Sequence, residues 1–329
     1  MPWFALGDAL VLSPPGLGPL TVREARQLNL DAAAISKDRR ADVVGIRRPP
    51  DIFSLRTAED VLAVAGTLPV RRTAAATAAA LDNVALVDAL AVVRRAERAR
   101  RRRLRVVVRL SDERHFLRTD LRAALERKLG HLHGPEEAAD QLWVIQTDPR
   151  TLYVGVRLRS RTRRGARPAE RVGALRPAIA AAMVLCADRP RLALDPCCGA
   201  GTLLDEVAGA GGAAVGGDLD ASAIRAASAY SAAVLLQLDS RRLPFASDSF
   251  EAVITNLPFG HRYDLQGTPV AWYRRTLAES LRVAGIVVVL APPSAPFRQA
   301  LGRTKAELRE RHDLTVLGQR AAIWSLQRR

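Results

Sequence analysis

The chain has 329 residues, 48% of them hydrophobic, and its 50 Lys and Arg outnumber 34 Asp and Glu to give a formal net charge of +16. That length suits two or three domains, and the apolar share is ample for their cores. The longest apolar runs, such as Ile286–Ala291, fall far short of a membrane span, and no charged-then-apolar leader stands at Met1, so the expected location is cytoplasmic, away from membranes. Three cysteines, two of them adjacent at Cys197 and Cys198, form neither a disulfide framework nor a zinc spacing; no metal is expected.

In chain order, Met1–Leu12 reads as a strand-like opening before the Pro14-Pro15-Gly16 turn. Leu17–Leu20 then leads into a helix with apolar positions at Val22, Ala25 and Leu28. Val43–Ile46 is an expected strand, stopped by Pro49-Pro50. Over Asp51–Val64 the pattern predicts an extended segment and then a helix, with Thr57 as N-cap and Asp60 three residues on. Thr73–Ala80 and Val84–Arg98 read as helices, Arg105–Arg109 as a strand, and Phe116–Leu129 as a helix ending at Gly130. Leu142–Gln146 and Leu152–Leu158 are two strands joined across Asp148-Pro149 as a hairpin.

The charge is unevenly spread. Residues 1–174 hold 32 of the basic and 20 of the acidic side chains, so +12 of the net +16 lies there. Two clusters stand out: Arg94, Arg95, Arg98, Arg100, Arg101, Arg102, Arg103 and Arg105, then Arg157, Arg159, Arg161, Arg163, Arg164, Arg167 and Arg171. Only three of the 50 basic residues are lysine, and such arginine and alanine richness partly reflects a GC-rich genome. Guanidinium groups match phosphate geometry, and two clusters in one half favour nucleic acid over a merely solvated face.

Ser160–Arg171 has the composition of a linker, and Gly173–Val184 opens a helix. Leu192–Leu194 reads as a buried strand with Asp195 where it runs out; Gly199 and Gly201 supply a tight turn, and Thr202 starts a helix. Such a turn suits a dinucleotide or S-adenosylmethionine. Leu204 stands where the dinucleotide pattern wants a third glycine, and a carboxylate at Asp195 suits a cofactor bearing an amino group and a sulfonium. Ala213–Gly217 is the second strand, ending at Asp218, where an acid can accept both ribose hydroxyls. Asp220 caps the helix from Ala221. Val234–Leu238 is the third strand, followed by Asp239; Ala252 begins a fourth that runs into Asn256-Leu257-Pro258-Phe259. Ile286–Leu290 is a fifth, and Leu314–Leu317 with Ile323–Leu326 form a terminal antiparallel pair.

Asn256-Leu257-Pro258-Phe259 resembles the loop of the amino-methyltransferases: Asn or Asp, a variable residue, Pro, then an aromatic. The order of elements before it, through Arg105–Leu110, His115–Arg122 and Tyr153–Leu158, looks like a THUMP domain, the RNA-binding module of several tRNA-modifying enzymes. A Leu175-Arg176-Pro177 helix ahead of Asp195–Thr202 is similar to the THUMP-linked guanine-N2 methyltransferases. The departures are Ala200, where serine is common, and the short Ser231–Gln237 connection.

The resemblance implies three segments: a ferredoxin-like subdomain over 1–58, a THUMP-like domain over 59–166, and over 167–329 a class I, Rossmann-like α/β methyltransferase domain with a seven-stranded, mostly parallel sheet. It implies S-adenosylmethionine held by Asp195, Cys198, Gly199, Gly201, Thr202, Asp218 and Asp239, with Asp239 at the adenine amino group. The target amine falls to Asn256, Leu257, Pro258 and Phe259. The RNA, a tRNA, falls to Arg100–Arg103, Arg105, Arg118, Arg161, Arg163 and Arg164. His115 reads as an edge residue or phosphate contact rather than a base. A methyltransferase for another amine (adenine N6 in DNA or RNA, or protein glutamine) and a non-catalytic RNA-binding scaffold are the alternatives. The oligomeric state is left open.

Overall fold

The structure, a computed structural model, describes residues 8–37, 41–47, 55–97, 103–132, 139–158, 175–258, 268–316 and 318–329. The chain divides into two compact units, Met1–Arg164 and Gly165–Arg329.

The first unit opens with β1 (Ala9–Ser13), α1 (Gly18–Gln27), β2 (Asp31–Lys37), β3 (Asp42–Arg47) and β4 (Asp60–Pro69). It continues through α2 (Ala74–Ala79), α3 (Leu86–Glu97), β5 (Arg103–Arg109), α4 (Arg118–Leu129), β6 (Ala139–Asp148) and β7 (Thr151–Leu158). The seven strands make one sheet in the order β2-β3-β1-β4-β7-β6-β5. Among the first four each strand is antiparallel to its neighbours, in the ferredoxin-like order, and β4, which begins just past residue 59, pairs with β1 on one side and β7 on the other, so one sheet joins the strands before and after that point.

Both faces of this sheet are buried. Val11, Val44, Val61, Ala63 and Val156 pack under the helices, while Leu10, Leu12, Val43, Leu62, Val64 and Trp143 form a second cluster on the other face. The sheet curls enough to bring β2 near β6.

This two-sided burial corrects the helix expected up to Val64. Val61–Ala65 is strand, buried at every position, so its apolar residues run continuously instead of alternating. Thr57 caps no helix: its hydroxyl donates to Glu24 Oε2 at 2.7 Å and its N–H to the same oxygen at 2.9 Å.

The second unit holds α5 (Pro177–Cys186), β8 (Leu192–Asp195), α6 (Thr202–Gly209), β9 (Ala213–Asp218), α7 (Ala221–Ser228), β10 (Val234–Gln237) and β11 (Phe250–Asn256). It ends with α8 (Pro269–Val283), β12 (Ala284–Ala291), α9 (Ala295–Gly302), β13 (Ala306–Val316) and β14 (Gln319–Arg328). Its sheet order is β10-β9-β8-β11-β12-β14-β13. The first five strands are parallel, and β14 runs antiparallel to both β12 and β13. This is the class I methyltransferase architecture. Parallel strands place all their carboxyl ends on one edge, where the connecting loops form a crevice.

Among the described residues no single helix is long and apolar enough to cross a membrane. The bent pair Ala74–Asn83 and Leu86–Arg95 passes on length and composition together, but Ala78, Leu81, Ala89, Leu90 and Val93 of that pair are packed in the core.

Candidate active site

β8 delivers Asp195 to the carboxyl edge of the sheet, where its side chain is 3% exposed. Burial raises its pKa to about 7, and the Asp218 charge adds to the rise. The Thr255 hydroxyl and the Cys197 N–H, which donates to Asp195 Oδ1 at 3.1 Å, pull the other way. None of these influences is a cation.

The chain then turns sharply. The Gly201 N–H donates to the Cys198 carbonyl at 2.8 Å, and Gly199 (φ +53°) and Gly201 (φ +81°) both occupy left-handed backbone, where any other side chain is strained. Two bonds stitch the turn to β9: the Cys198 N–H donates to the Gly217 carbonyl at 2.8 Å, and the Gly199 N–H to Asp218 Oδ2 at 2.9 Å. Asp218 Oδ1 accepts the Asp220 N–H at 3.0 Å. Asp220 caps α7 by accepting the Ser222 N–H at 2.8 Å, as its position before Ala221 suggests. Burial, then the charges of Asp195 and Asp218, pushes the Cys197 thiol up to about 12 and the Cys198 thiol higher still, so both stay protonated.

Asp239 lies just past β10 and is already engaged. Arg241 Nε donates to its two oxygens at 2.9 and 3.0 Å, and Nη2 to Oδ2 at 2.7 Å. These bonds, with the Arg241 backbone N–H, hold the carboxyl below its ordinary range despite partial burial.

β11 lies beside β8 in the sheet, so Asn256 ends the strand next to the one that ends in Asp195. The peptide after it is held from two directions. The Leu257 N–H donates to the Leu290 carbonyl of β12 at 3.1 Å, and the Tyr273 hydroxyl of α8 donates to the Pro258 carbonyl at 3.3 Å. Burial raises the Tyr273 pKa, which keeps that proton in place. Asn256 Oδ1 is buried and has no hydrogen-bond partner among the described residues.

Sequence reasoning missed Thr255, Arg241 and Tyr273. The first two sit within two residues of predicted site residues. Tyr273 lies on a helix whose register only the packing fixes. Phe259 lies outside the described residues, as do Arg100, Arg101, Arg102, Arg161, Arg163 and Arg164. Of the other expected RNA contacts, Arg103 and Arg105 share one face of β5, whereas Arg118 starts α4 and is exposed, as is His115 ahead of it. On the β5 face Arg109 also stacks on Trp143, with Cζ 4.4 Å from the ring centroid, and Arg157 reaches the same ring at 5.6 Å. The even spacing of Arg103, Arg105 and Arg109, two and then four residues apart, is the signal that could have grouped them. Cys186, Glu310 and His312 bring donor atoms within 4.8 Å of one another between α5 and β13, and His312 is hydrogen-bonded to Glu310 at 2.8 Å.

Residues 164–320 match the family model described as RMKL-like, methyltransferase domain. This region is a methyltransferase domain. Its cofactor is S-adenosylmethionine. No curated protein matches the chain. Among solved structures, TrmN from Thermus thermophilus superposes with a TM-score of 0.76 at 23% identity, over 98% of this chain and 99% of that one. A predicted N6-adenine-specific DNA methylase from Listeria monocytogenes gives 0.69 at 18% identity, over 97% and 95%. SMU.472, complexed with SAH, gives 0.67 at 15% identity, over 98% of both chains. At these identities the likeness is one of fold, and it extends beyond the methyltransferase domain to nearly the whole chain.

Proposed function

We propose that the chain transfers a methyl group from S-adenosylmethionine to the exocyclic N2 amine of a guanosine in tRNA. The observation that carries this reading is Asn256 Oδ1, a buried acceptor without a partner among the described residues, at the head of an Asn-Leu-Pro turn beside Asp195. A buried polar atom left unpaired is costly, so a donor arriving with the substrate accounts for it.

The residues present fit the cofactor. Asp195 is a buried carboxyl with no cation acting on it, and an amino group beside it would draw it into its ionised form. Asp218 has lone pairs left for ribose hydroxyls after taking the Gly199 and Asp220 N–H groups. Cys198, Gly199, Gly201 and Thr202 form the turn facing it, and Asp239 is assigned to the adenine amino group, sharing its oxygens with Arg241. The cofactor, when bound, supplies a methyl group already activated by its sulfonium.

The chain has to hold an amine in line. In this reading Asn256 Oδ1 and the Leu257 carbonyl each accept one N–H, which points the nitrogen lone pair away from them. Phe259 stacks on the base. Pro258 and Tyr273 keep the peptide from swinging, so most of the acceleration comes from alignment. A target base paired in a duplex has to leave the stack at a cost on the order of a few kcal/mol, offset by these contacts.

The tRNA assignment is supported by the arginine-rich first unit, by its THUMP-like order of elements, and by a likeness to TrmN that spans both units. The expected segments 1–58, 59–166 and 167–329 belong to the same proposal, with β4 of the second segment pairing with β1 of the first. The deciding experiment is single-turnover transfer of labelled methyl to unmodified tRNA, followed by mass spectrometry of the nucleosides. N2-methylguanosine supports the reading; methyladenine, or transfer only to DNA or protein, defeats it.

A further inference from the structure

Beside Asp239 the methyltransferase domain has an open groove of about 470 Å³, lined by Asp239, Arg241, Arg242, Arg275, Ala278 and Glu279. Its charges do not cancel locally. Each carboxylate in the lining has its own arginine: Asp239 is bound by Arg241, and Glu279 accepts from Arg282 Nε at 2.9 Å and Nη2 at 2.8 Å. That leaves Arg242 and Arg275, both exposed and neither in an ion pair among the described residues, as two uncompensated guanidiniums facing one groove. Two forked cations in an open trough match successive phosphates of a strand better than a single small anion.

The groove is also well placed. Asp239 follows β10 and Asn256 ends β11, three strand positions apart on the same edge of the sheet, roughly 14 Å at the usual spacing. Arg275 is on α8, the helix whose Tyr273 holds the Pro258 carbonyl.

From this geometry we infer that Arg242 and Arg275 bind backbone phosphates of the RNA strand flanking the target nucleotide, a contact made by the methyltransferase domain itself. The inference rests on the proposed RNA substrate.

The test uses the full chain with Arg242 and Arg275 both changed to Ala, and a second variant with both changed to Lys. The probes are an unmodified tRNA transcript and DNA of the same sequence. For the Ala pair, tRNA affinity falls severalfold, and the slope of log affinity against log salt becomes shallower by about 1.4, two phosphates at roughly 0.7 each for a single strand. S-adenosylmethionine affinity stays at the wild-type value, and the Lys pair restores most of the slope. Wild-type transfer to tRNA with an unchanged slope in the Ala pair overturns the groove and leaves the proposed function standing. Wild-type transfer to DNA and not to tRNA overturns both.

Discussion

The Gly199 N–H donates to Asp218 Oδ2 at 2.9 Å, so a single carboxylate at the end of β9 fixes the glycine turn that follows β8. In the proposed cofactor site Asp218 therefore acts in two ways, as an acceptor and through the turn. Replacing it with Ala removes both, and S-adenosylmethionine should bind about 1–3 kcal/mol more weakly. Asp218→Asn keeps one acceptor oxygen for Gly199 and should lose less. Calorimetric titration of folded variants checks this. Equal affinity in the wild type and Asp218→Ala removes the residue from the site.

Asp195 makes ligand-free stability depend on pH in a distinctive direction. Its folded pKa of about 7 lies above the ordinary aspartate value of about 3.9, so between these limits the folded chain retains a proton that the unfolded chain has lost. Stability from this group is greatest at low pH and falls as pH rises through that window; above it the buried charge is fully penalised. Asp195→Asn should melt above the wild type at pH 8, by on the order of a few kcal/mol, and converge with it toward pH 4. Cofactor binding should reverse the preference. At pH 6, S-adenosylmethionine should release a proton from wild-type protein, giving a calorimetric enthalpy that changes with the buffer. Asp195→Asn should show weak binding and no such dependence.

Much of this site was legible because its chemistry is consecutive in the chain. Asp195–Thr202 and Asn256–Phe259 are short words at strand ends, and parallel strands put such ends on one edge. The hydrogen bonds from Tyr273 to Pro258 and from Arg282 to Glu279 depend on how α8 is rotated, which no local pattern records. The first unit was harder for another reason. β2 is largely alanine over Ala32–Ala34 and carries little strand signal, and β4 is apolar without a break over Val61–Ala65 because the sheet is covered on both faces. In β5 Leu104, Val106 and Val108 face the core while Arg103, Arg105, Val107 and Arg109 face the other way, and the apolar run between Arg105 and Arg109 was enough to read it as a strand.

Glu24 shows what the misread segment does. It is 3% exposed and accepts the Arg56 N–H at 3.1 Å, the Thr57 N–H at 2.9 Å and the Thr57 hydroxyl at 2.7 Å. The carboxylate thus anchors the chain entering β4 onto α1. Glu24→Gln exchanges one acceptor oxygen for a donor facing donors, and should cost about 1–3 kcal/mol. Urea denaturation of the full chain, followed by Trp143 fluorescence against a background lacking the other tryptophans, reads the first unit. An unchanged midpoint would falsify the anchoring role.

The proposed catalytic turn permits a sharper separation between chemistry and support. Asn256→Ala deletes the acceptor proposed to engage only the target amine, so transfer should fall by about 10²–10³ while cofactor and tRNA affinities stay near wild type. Tyr273→Phe removes one hydrogen bond to the Pro258 carbonyl and keeps the ring packed between Trp272 and Phe297, whose centroids lie 5.5 and 5.4 Å away. The fold should be intact, and the single-turnover rate should fall by about fivefold, as expected for a bond worth on the order of 1 kcal/mol that only aligns the acceptor. Because burial holds the Tyr273 proton well above neutrality, this loss should be constant from pH 6 to pH 9. Single-turnover transfer to unmodified tRNA, with both affinities measured separately, distinguishes the two roles. A wild-type rate for Asn256→Ala makes the turn structural, and a loss in Tyr273→Phe as large as that in Asn256→Ala makes Tyr273 part of the chemistry.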